Sequence, residues 1–345
     1  MKQRGKRLTP FETKICAHTG GTPVPPELSR LTSFPRRSGC LNFLGGSFRA
    51  VPSAVLCLVL GIFPAQAKDV VVASYNLRNY LQMERQADGK AIPSAPKPEQ
   101  EITAAIGVVQ KIAPDILGLV EMGDEAMLKD FQDRLRAAGL DFPHREWVRG
   151  SDPDRHQALL SRYPIVARNS RDDVPFELNG SRQRIARGIL DVTVRLAGNF
   201  NLRLVGAHLK SRRPVPGFDE KTARAKEAWL FRKHLDAILD AAPDTNLLLF
   251  GDLNDTKNEY PVKELIGSPN SPNFMRDLFL TDSLGCRWTH FWSVADEYSR
   301  IDYILVSRRL WPEIAMSRSG ISNAKNWFKA SDHRAIYATI RVPDK

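Results

Sequence analysis

Asn76, Glu121, His208, Asp252 with Asn254, Asp302, and Asp332 with His333 combine carboxylate, amide and imidazole groups without a cysteine among them. Carboxylate and carbonyl oxygens are the donors magnesium and manganese prefer, while imidazoles beside carboxylates move protons and balance charge at a phosphate. The set therefore suits metal-assisted phosphoryl chemistry. Each of these residues also stands at or beside the end of an apolar run, as in Ile116-Leu117-Gly118-Leu119-Val120 before Glu121 and Leu247 to Phe250 before Gly251-Asp252. Strand ends are where α/β sheets form their clefts. Taken singly, Asn76 and Asn254 fit turns, Asp252 and Asp332 fit caps, His208 fits a satisfied histidine and Glu121 fits a solvated strand end. Their shared position along the chain is what joins them.

The elements that must hold this set follow from hydrophobic periodicity. Asp69 to Tyr75, Ile116 to Val120, Ala158 to Leu160, Ile165 to Ala167, Gly188 to Leu196, Leu202 to His208, Leu247 to Phe250, Ile301 to Val306 and Ala335 to Ile340 read as strands. Helices fit Glu99 to Ile112, Glu125 to Ala138 and about Lys221 to Ala241, each with apolar positions three and four residues apart. Gln82 to Pro98, polar and rich in proline, reads as a loop. Helices between some strands and hairpin-like links between others predict an α/β fold of two packed mixed sheets flanked by helices, as one domain over residues 68–345.

Ser74-Tyr75-Asn76-Leu77-Arg78, Asp115 to Glu121, Gly206-Ala207-His208-Leu209-Lys210-Ser211, Gly251-Asp252-Leu253-Asn254-Asp255, Arg300-Ile301-Asp302-Tyr303 and Ser331-Asp332-His333 resemble, in order, the motifs of the endonuclease/exonuclease/phosphatase family. The resemblance implies a four-layered α/β sandwich that hydrolyses phosphate esters with Mg²⁺ or Mn²⁺. By that resemblance Glu121 is the principal metal ligand, with Asn76 close by and Asp332 completing the metal or water network. His333 is the general base or the group that balances charge at the phosphate, oriented by Asp302. Asp252 aligns and helps to deprotonate the attacking water, and Asn254 and His208 donate to the non-bridging oxygens. Arg187, at the start of a strand, is a candidate phosphate contact.

The resemblance leaves the ester open, and local sequence favours nucleic acid as the phosphoester partner. Lys210-Ser211-Arg212-Arg213 places cations directly after His208, suited to a polyanionic backbone, and Trp288-Thr289-His290-Phe291-Trp292 offers flat rings that can wedge or stack on bases. Secreted phospholipid or sphingolipid phosphodiesterases are the alternative, with small-phosphoester phosphatases beside them. Such lipid enzymes often carry an exposed apolar hairpin, and no segment is clearly one. A binding protein that kept the fold and lost catalysis fits less well, because Glu121, Asp252, Asp302 and His333 are all present.

The net charge of +11 over 345 residues looks like a nucleic-acid signal, but it is unevenly placed. Residues 1–67 hold nine basic and two acidic residues, +7 of that total, which leaves +4 for the rest. Arg49, a short apolar run from Ala50 to Phe63 and Ala65-Gln66-Ala67 have the order of a secretory signal, with cleavage expected after Ala67 and no stable membrane insertion afterwards. Residues 1–40 read as a disordered extension or as lying upstream of the true translation start. The mature chain is expected to be an exported, periplasmic or secreted monomer. Cys16, Cys40 and Cys57 fall in the leader, so Cys286 is expected as an unpaired, packed thiol.

Overall fold

The computed structural model describes residues 68–343 apart from 88 and 198–199. The signal segment and its cleavage point lie outside these residues. Two six-stranded mixed sheets form the centre. In the first the spatial order is Gly320–Ile321, Ile336–Val342, Lys68–Tyr80, Ile116–Met122, His156–Ser161 and His144–Val148. In the second it is Arg276–Asp277, Asp302–Val306, Leu247–Asp252, Phe200–His208, Leu190–Ala197 and Ile165–Arg168.

Three apolar clusters show why the layers stack. Val72, Ile116, Leu159, Val192, Leu204, Phe250, Ile304 and Ile340 fill the space between the sheets. On the outer face of the first sheet, Leu117 and Leu119 meet Ile102, Ala105 and Val109 of the helix Glu99–Ile112 and Leu128, Phe131 and Leu135 of the helix Glu125–Ala137. On the outer face of the second, Val205, Leu249 and Leu305 meet Ala228, Phe231 and Leu235 of the helix Glu220–Ala241 and Val262 and Leu265 of Tyr260–Ile266. The strand residues alternate between these clusters, as the period-two geometry of a strand requires. Helix, sheet, sheet and helix make four layers. Gly118 allows the sheets to approach, since a Cβ there would lie 2.0 Å from the Phe250 ring.

The helices start where the sequence supplies caps. Asp124 accepts from the Met127 N–H and Asp219 from the Thr222 N–H, each at 2.9 Å. Two expectations change. The strand read as Asp69 to Tyr75 continues to Tyr80 through a bulge, and the segment read as a loop over Gln82 to Pro98 contains an antiparallel hairpin, Met83–Ala87 with Lys90–Ala95. Short polar strands lacking an apolar face leave little periodic signal, so hydropathy alone passed over that hairpin. Cys286, expected as a packed thiol, is buried.

Candidate active site

Strand register builds the centre. Phe200–His208 runs parallel to Leu247–Asp252 with His208 opposite Asp252, and Leu247–Asp252 runs antiparallel to Asp302–Val306 with Asp252 opposite Asp302. Three chemically active residues therefore stand side by side across one sheet. Gly251 precedes Asp252 at φ 138°, and a Cβ there would fall 1.9 Å from the Ala207 carbonyl oxygen. In the facing sheet, Lys68–Tyr80 and Ile116–Met122 are parallel, which brings Asn76 and Glu121 to the same edge. Asn76 Nδ2 closes the gap between the sheets, donating to Asp252 Oδ2 at 3.1 Å and lying 3.4 Å from His333 Nε2.

His333 Nδ1 lies 2.8 Å from Asp302 Oδ2, and its Nε2 is 3.8 Å from Asp252 Oδ2, with all three side chains buried. Burial by itself would lower the His333 ring, but the Asp302 and Asp252 carboxylates outweigh it and hold the imidazole well above its ordinary value. Burial pushes Asp252 up to about 7, opposed by His333 and assisted by the negative charges of Asp302 and Glu121. An imidazolium therefore sits between two carboxylates, one of them poised to exchange a proton near neutrality. Ser331 Oγ, which donates to the Asn76 carbonyl and accepts from the His333 N–H, and Thr289 Oγ1, which accepts from the Asp302 N–H, fix the backbones that carry this pair.

Cations act on His208. Burial, then Arg187, His333, Arg155 and Lys210, keep His208 well below its ordinary value and so neutral. Its Nδ1 is buried and lacks a hydrogen-bond partner among the described residues. Arg187 is 5% exposed and pairs with Asp152 at 3.2 Å through Nη2, while its buried Nε and Nη1 have no partner among those residues. Buried polar groups left unsatisfied are costly, and the His208 ring lies with Nε2 3.8 Å from Asp252 Oδ2. Glu227, on the helix Glu220–Ala241, accepts from the N–H groups of both Ala186 and Lys210 and so ties the backbone beside each cation to one carboxylate.

The model of the Endonuclease/Exonuclease/phosphatase family matches residues 73–333. The chain belongs to that family. The match takes in every motif from the strand carrying Asn76 to His333. No curated protein matches the chain. Among solved structures it is similar to truncated TDP2 of Caenorhabditis elegans, at 17% identity and a TM-score of 0.54 over 81% of this chain and 99% of the other. It is also similar to the human Nocturnin catalytic domain with bound sulfate (16%, TM-score 0.55, covering 79% and 93%) and to a family protein of Bacteroides thetaiotaomicron (20%, TM-score 0.52, covering 80% and 96%). At such identities the likeness concerns the fold, the four-layered sandwich of the endonuclease/exonuclease/phosphatase family.

Members of this family are phosphoester hydrolases and typically depend on a divalent metal. The donors present fit such an ion. Asp252, Asp302 and His333 each offer an atom within a span of 4.8 Å. His333 Nδ1 and Asp302 Oδ2 are taken up by their own hydrogen bond at 2.8 Å. Glu121 gives one oxygen, Oε2, to the Asn79 N–H at 2.9 Å, and its other oxygen has no hydrogen-bond partner among the described residues. Asn76 takes part chiefly through its amide nitrogen, because its Oδ1 accepts from the Arg78 N–H at 2.9 Å.

Not every expected site residue joins the centre. Asp332 is partly exposed, 3.7 Å from Arg78 Nε, accepts from Ser331 Oγ at 3.4 Å through Oδ1, and its charge adds to the proton affinity of His333. Asn254 Nδ2 donates to the Leu209 carbonyl at 3.0 Å, and the Asn254 N–H donates to Asp252 Oδ1 at 2.8 Å, so Asn254 braces Asp252. Lys210 lies over the Phe218 ring, half-buried, and Arg212 is exposed without a described partner. Sequence reasoning passed over Arg155, Asn79, Thr289 and the ring of His290, which lies 4.7 Å from that of His333. None of these stands in a recognisable motif, although Thr289 and His290 fall within the aromatic run noted above.

Proposed function

We propose that this chain is an exported, divalent-metal-dependent phosphodiesterase whose substrate is nucleic acid. The observation that carries the reading is the buried Asp252–His333–Asp302 arrangement with neutral His208 beside Asp252, together with the unpartnered buried donors of Arg187, whose charge acts on His208. An acidic wall suited to a cation and a donor-rich wall suited to phosphate oxygens are the two halves a phosphodiester needs. Glu121 would hold the metal, with Asn76 close to its water shell, and the ion would supply Lewis-acid polarisation of the phosphate and charge neutralisation.

The chain's own residues do the rest. Asp252, raised to about 7, receives a proton from the water it aligns, with Asn76 and the Asn254 N–H setting its orientation. His333 stays protonated against Asp302 and meets the negative charge that builds on the phosphoryl oxygens. Of the two roles open to it, charge balance fits its raised proton affinity better than action as a base. His208 and Arg187 donate to the non-bridging oxygens.

One observation favours the lipid alternative. His290–Trp292 and Glu297–Ser299 form a hairpin beside His333, with Trp292 51% and Val294 85% exposed. The sequence showed no clear apolar hairpin; the register of these two short strands makes one. Its rings are flat enough to stack on bases and apolar enough to enter a lipid surface. The protein lacking residues 1–67 should be assayed with Mg²⁺ or Mn²⁺ on plasmid DNA, RNA, sphingomyelin and a bis-phosphodiester, beside His333→Ala and an EDTA control. Activity in EDTA, or in the variant, would remove the mechanism. Cleavage of lipid alone would move the substrate to the second reading. Fractionation and N-terminal sequencing of the exported protein test the cut after Ala67.

A further inference from the structure

Asn79 uses three backbone and side-chain groups to reach three separate segments. Its N–H donates to Glu121 Oε2 at 2.9 Å, its Oδ1 accepts from Arg155 Nε at 2.8 Å, and its carbonyl accepts from Arg85 Nη2 at 2.8 Å. Its backbone is left-handed, at φ 59°, next to Arg78 at φ 48°. Glu121 is left-handed too, at φ 59°, and the two lie at one irregularity of the parallel pair, where the register skips from Asn76 opposite Val120 to Tyr80 opposite Met122. Three residues on one strand thus bulge against one on the other. The bulge takes Glu121 out of the alternation that would bury it against the helices, and the Asn79 N–H receives it there.

The kink is held from outside by the segment the sequence left without a role. Arg85, on the hairpin Met83–Ala87 with Lys90–Ala95, also donates to the Leu81 carbonyl at 3.1 Å, and the buried Lys97 donates to the Arg78 carbonyl at 3.1 Å. Two cations thus grip three of the four carbonyls from Arg78 to Leu81, and that of Tyr80 accepts instead from the Gly123 N–H. On the inner side Arg155 belongs to the loop in which Asp152 Oδ1 accepts from the N–H groups of Asp154 and Arg155, and the other oxygen of Asp152 pairs with Arg187. Arg155 also lies near enough to His208 to lower its proton affinity.

We propose that Asn79 is a positioning residue that couples the metal-side carboxylate Glu121 to Arg155, that Arg155 is a substrate-phosphate contact alongside Arg187, and that the 83–97 arm clamps the coupling. The proposal rests on the phosphodiesterase reading above. Its logic is geometric: the ion and the phosphate must be held at a set separation, and Asn79 is a short rigid link between their two holders. A partner one layer behind a metal ligand is worth about 10- to 100-fold in metal affinity or activity. Left-handed backbone costs Asn and Gly little and β-branched residues much.

These facts separate the two arms of the link. Asn79→Gly keeps the backbone and the N–H to Glu121 but removes the acceptor for Arg155. It should raise KM for a bis-phosphodiester about tenfold, with Mn²⁺ affinity by titration calorimetry within threefold of wild type. Arg155→Met should do the same, and the double variant should be no worse than either single one. Asn79→Val strains the bulge and should weaken Mn²⁺ binding tenfold or more; Arg85→Ala, outside the site, should weaken it in the same sense if Asn79→Val does not fold. Wild-type Mn²⁺ affinity in folded Asn79→Val and Arg85→Ala, or KM effects of Asn79→Gly and Arg155→Met that add, would overturn the coupling. Failure of the unmodified protein to bind Mn²⁺ at all would overturn the phosphodiesterase reading instead.

Discussion

Replacing Asp302 with Asn isolates the charge that holds His333 protonated. Asn has the same size, and the backbone stays anchored by Thr289 Oγ1, so the change removes a unit charge 2.8 Å from the imidazole Nδ1 and little else. Both groups are more than nine-tenths buried, so screening by water is weak. At an effective dielectric near 20, two unit charges about 4 Å apart interact by ~4 kcal/mol, and each 1.4 kcal/mol is about a tenfold change in rate. Asp252 remains 3.8 Å from Nε2 and keeps part of that stabilisation. The expected loss is therefore smaller than the full figure of roughly 700-fold, about 10²-fold in kcat with KM changed less than about threefold, since the missing charge matters most once negative charge has built on phosphorus.

Steady-state hydrolysis of a bis-phosphodiester at saturating Mg²⁺, beside thermal melts, measures this. Asp302→Asn combined with His333→Ala should be no slower than His333→Ala alone, because the aspartate acts through the ring. A folded Asp302→Asn protein within fivefold of the wild-type kcat refutes the pair. So does recovery of its rate on raising Mg²⁺ tenfold, which would make Asp302 a metal ligand rather than the partner of His333.

Three further outcomes follow from the same geometry. Arg187→Gln leaves fewer donors for the phosphate and should raise KM about tenfold, roughly one charge-assisted hydrogen bond, with kcat and melting temperature less affected. Asp191, fully buried, accepts from Arg203 at 2.8 and 2.6 Å and faces His234 Nε2 at 2.8 Å. Burial would raise its carboxyl, but His234 and Arg203 outweigh it and hold it below the ordinary value. Its folded pKa is thus below its unfolded one, so its stabilisation is present above about pH 4 and disappears as pH falls through the folded value. Asp191→Ala should cost ~3 kcal/mol in urea unfolding at pH 7 and much less at pH 2–3; an equal loss at both would refute the ion-pair account. Gly118→Ala forces a methyl group against the Phe250 ring and should cost about 1–3 kcal/mol, read as a fall in melting temperature of several degrees.

What could be read from the amino-acid order follows from which physical terms are local. The runs that lead to Asn76, Glu121, His208 and Asp252 are apolar because both sheet faces are covered, so hydropathy marks them, and the polar residue that closes each run marks the cleft. Asp302 lies next to Asp252 by antiparallel register, and His333 meets both because Ser331 ties its turn to Asn76; neither contact has a local signature. The motifs of a known family supplied what periodicity could not. Arg155 and Asn79 escaped for a different reason. Their importance comes from a bulge, and a bulge is set by how many residues two strands separated by dozens of positions place opposite one another. The exposed aromatic hairpin escaped for a related one, since strands of three residues, His290–Trp292 and Glu297–Ser299, are too short for a period to be counted. The charge balance is the opposite case: the +11 of the whole chain says little about the site, where Asp302 and Glu121 act on Asp252 while Arg187, Arg155 and Lys210 act on His208. Binding at such a site depends on the separation of its two signs of charge more than on their sum, which is why the link between Glu121 and Arg155 through Asn79 bears more on function than the isoelectric point does.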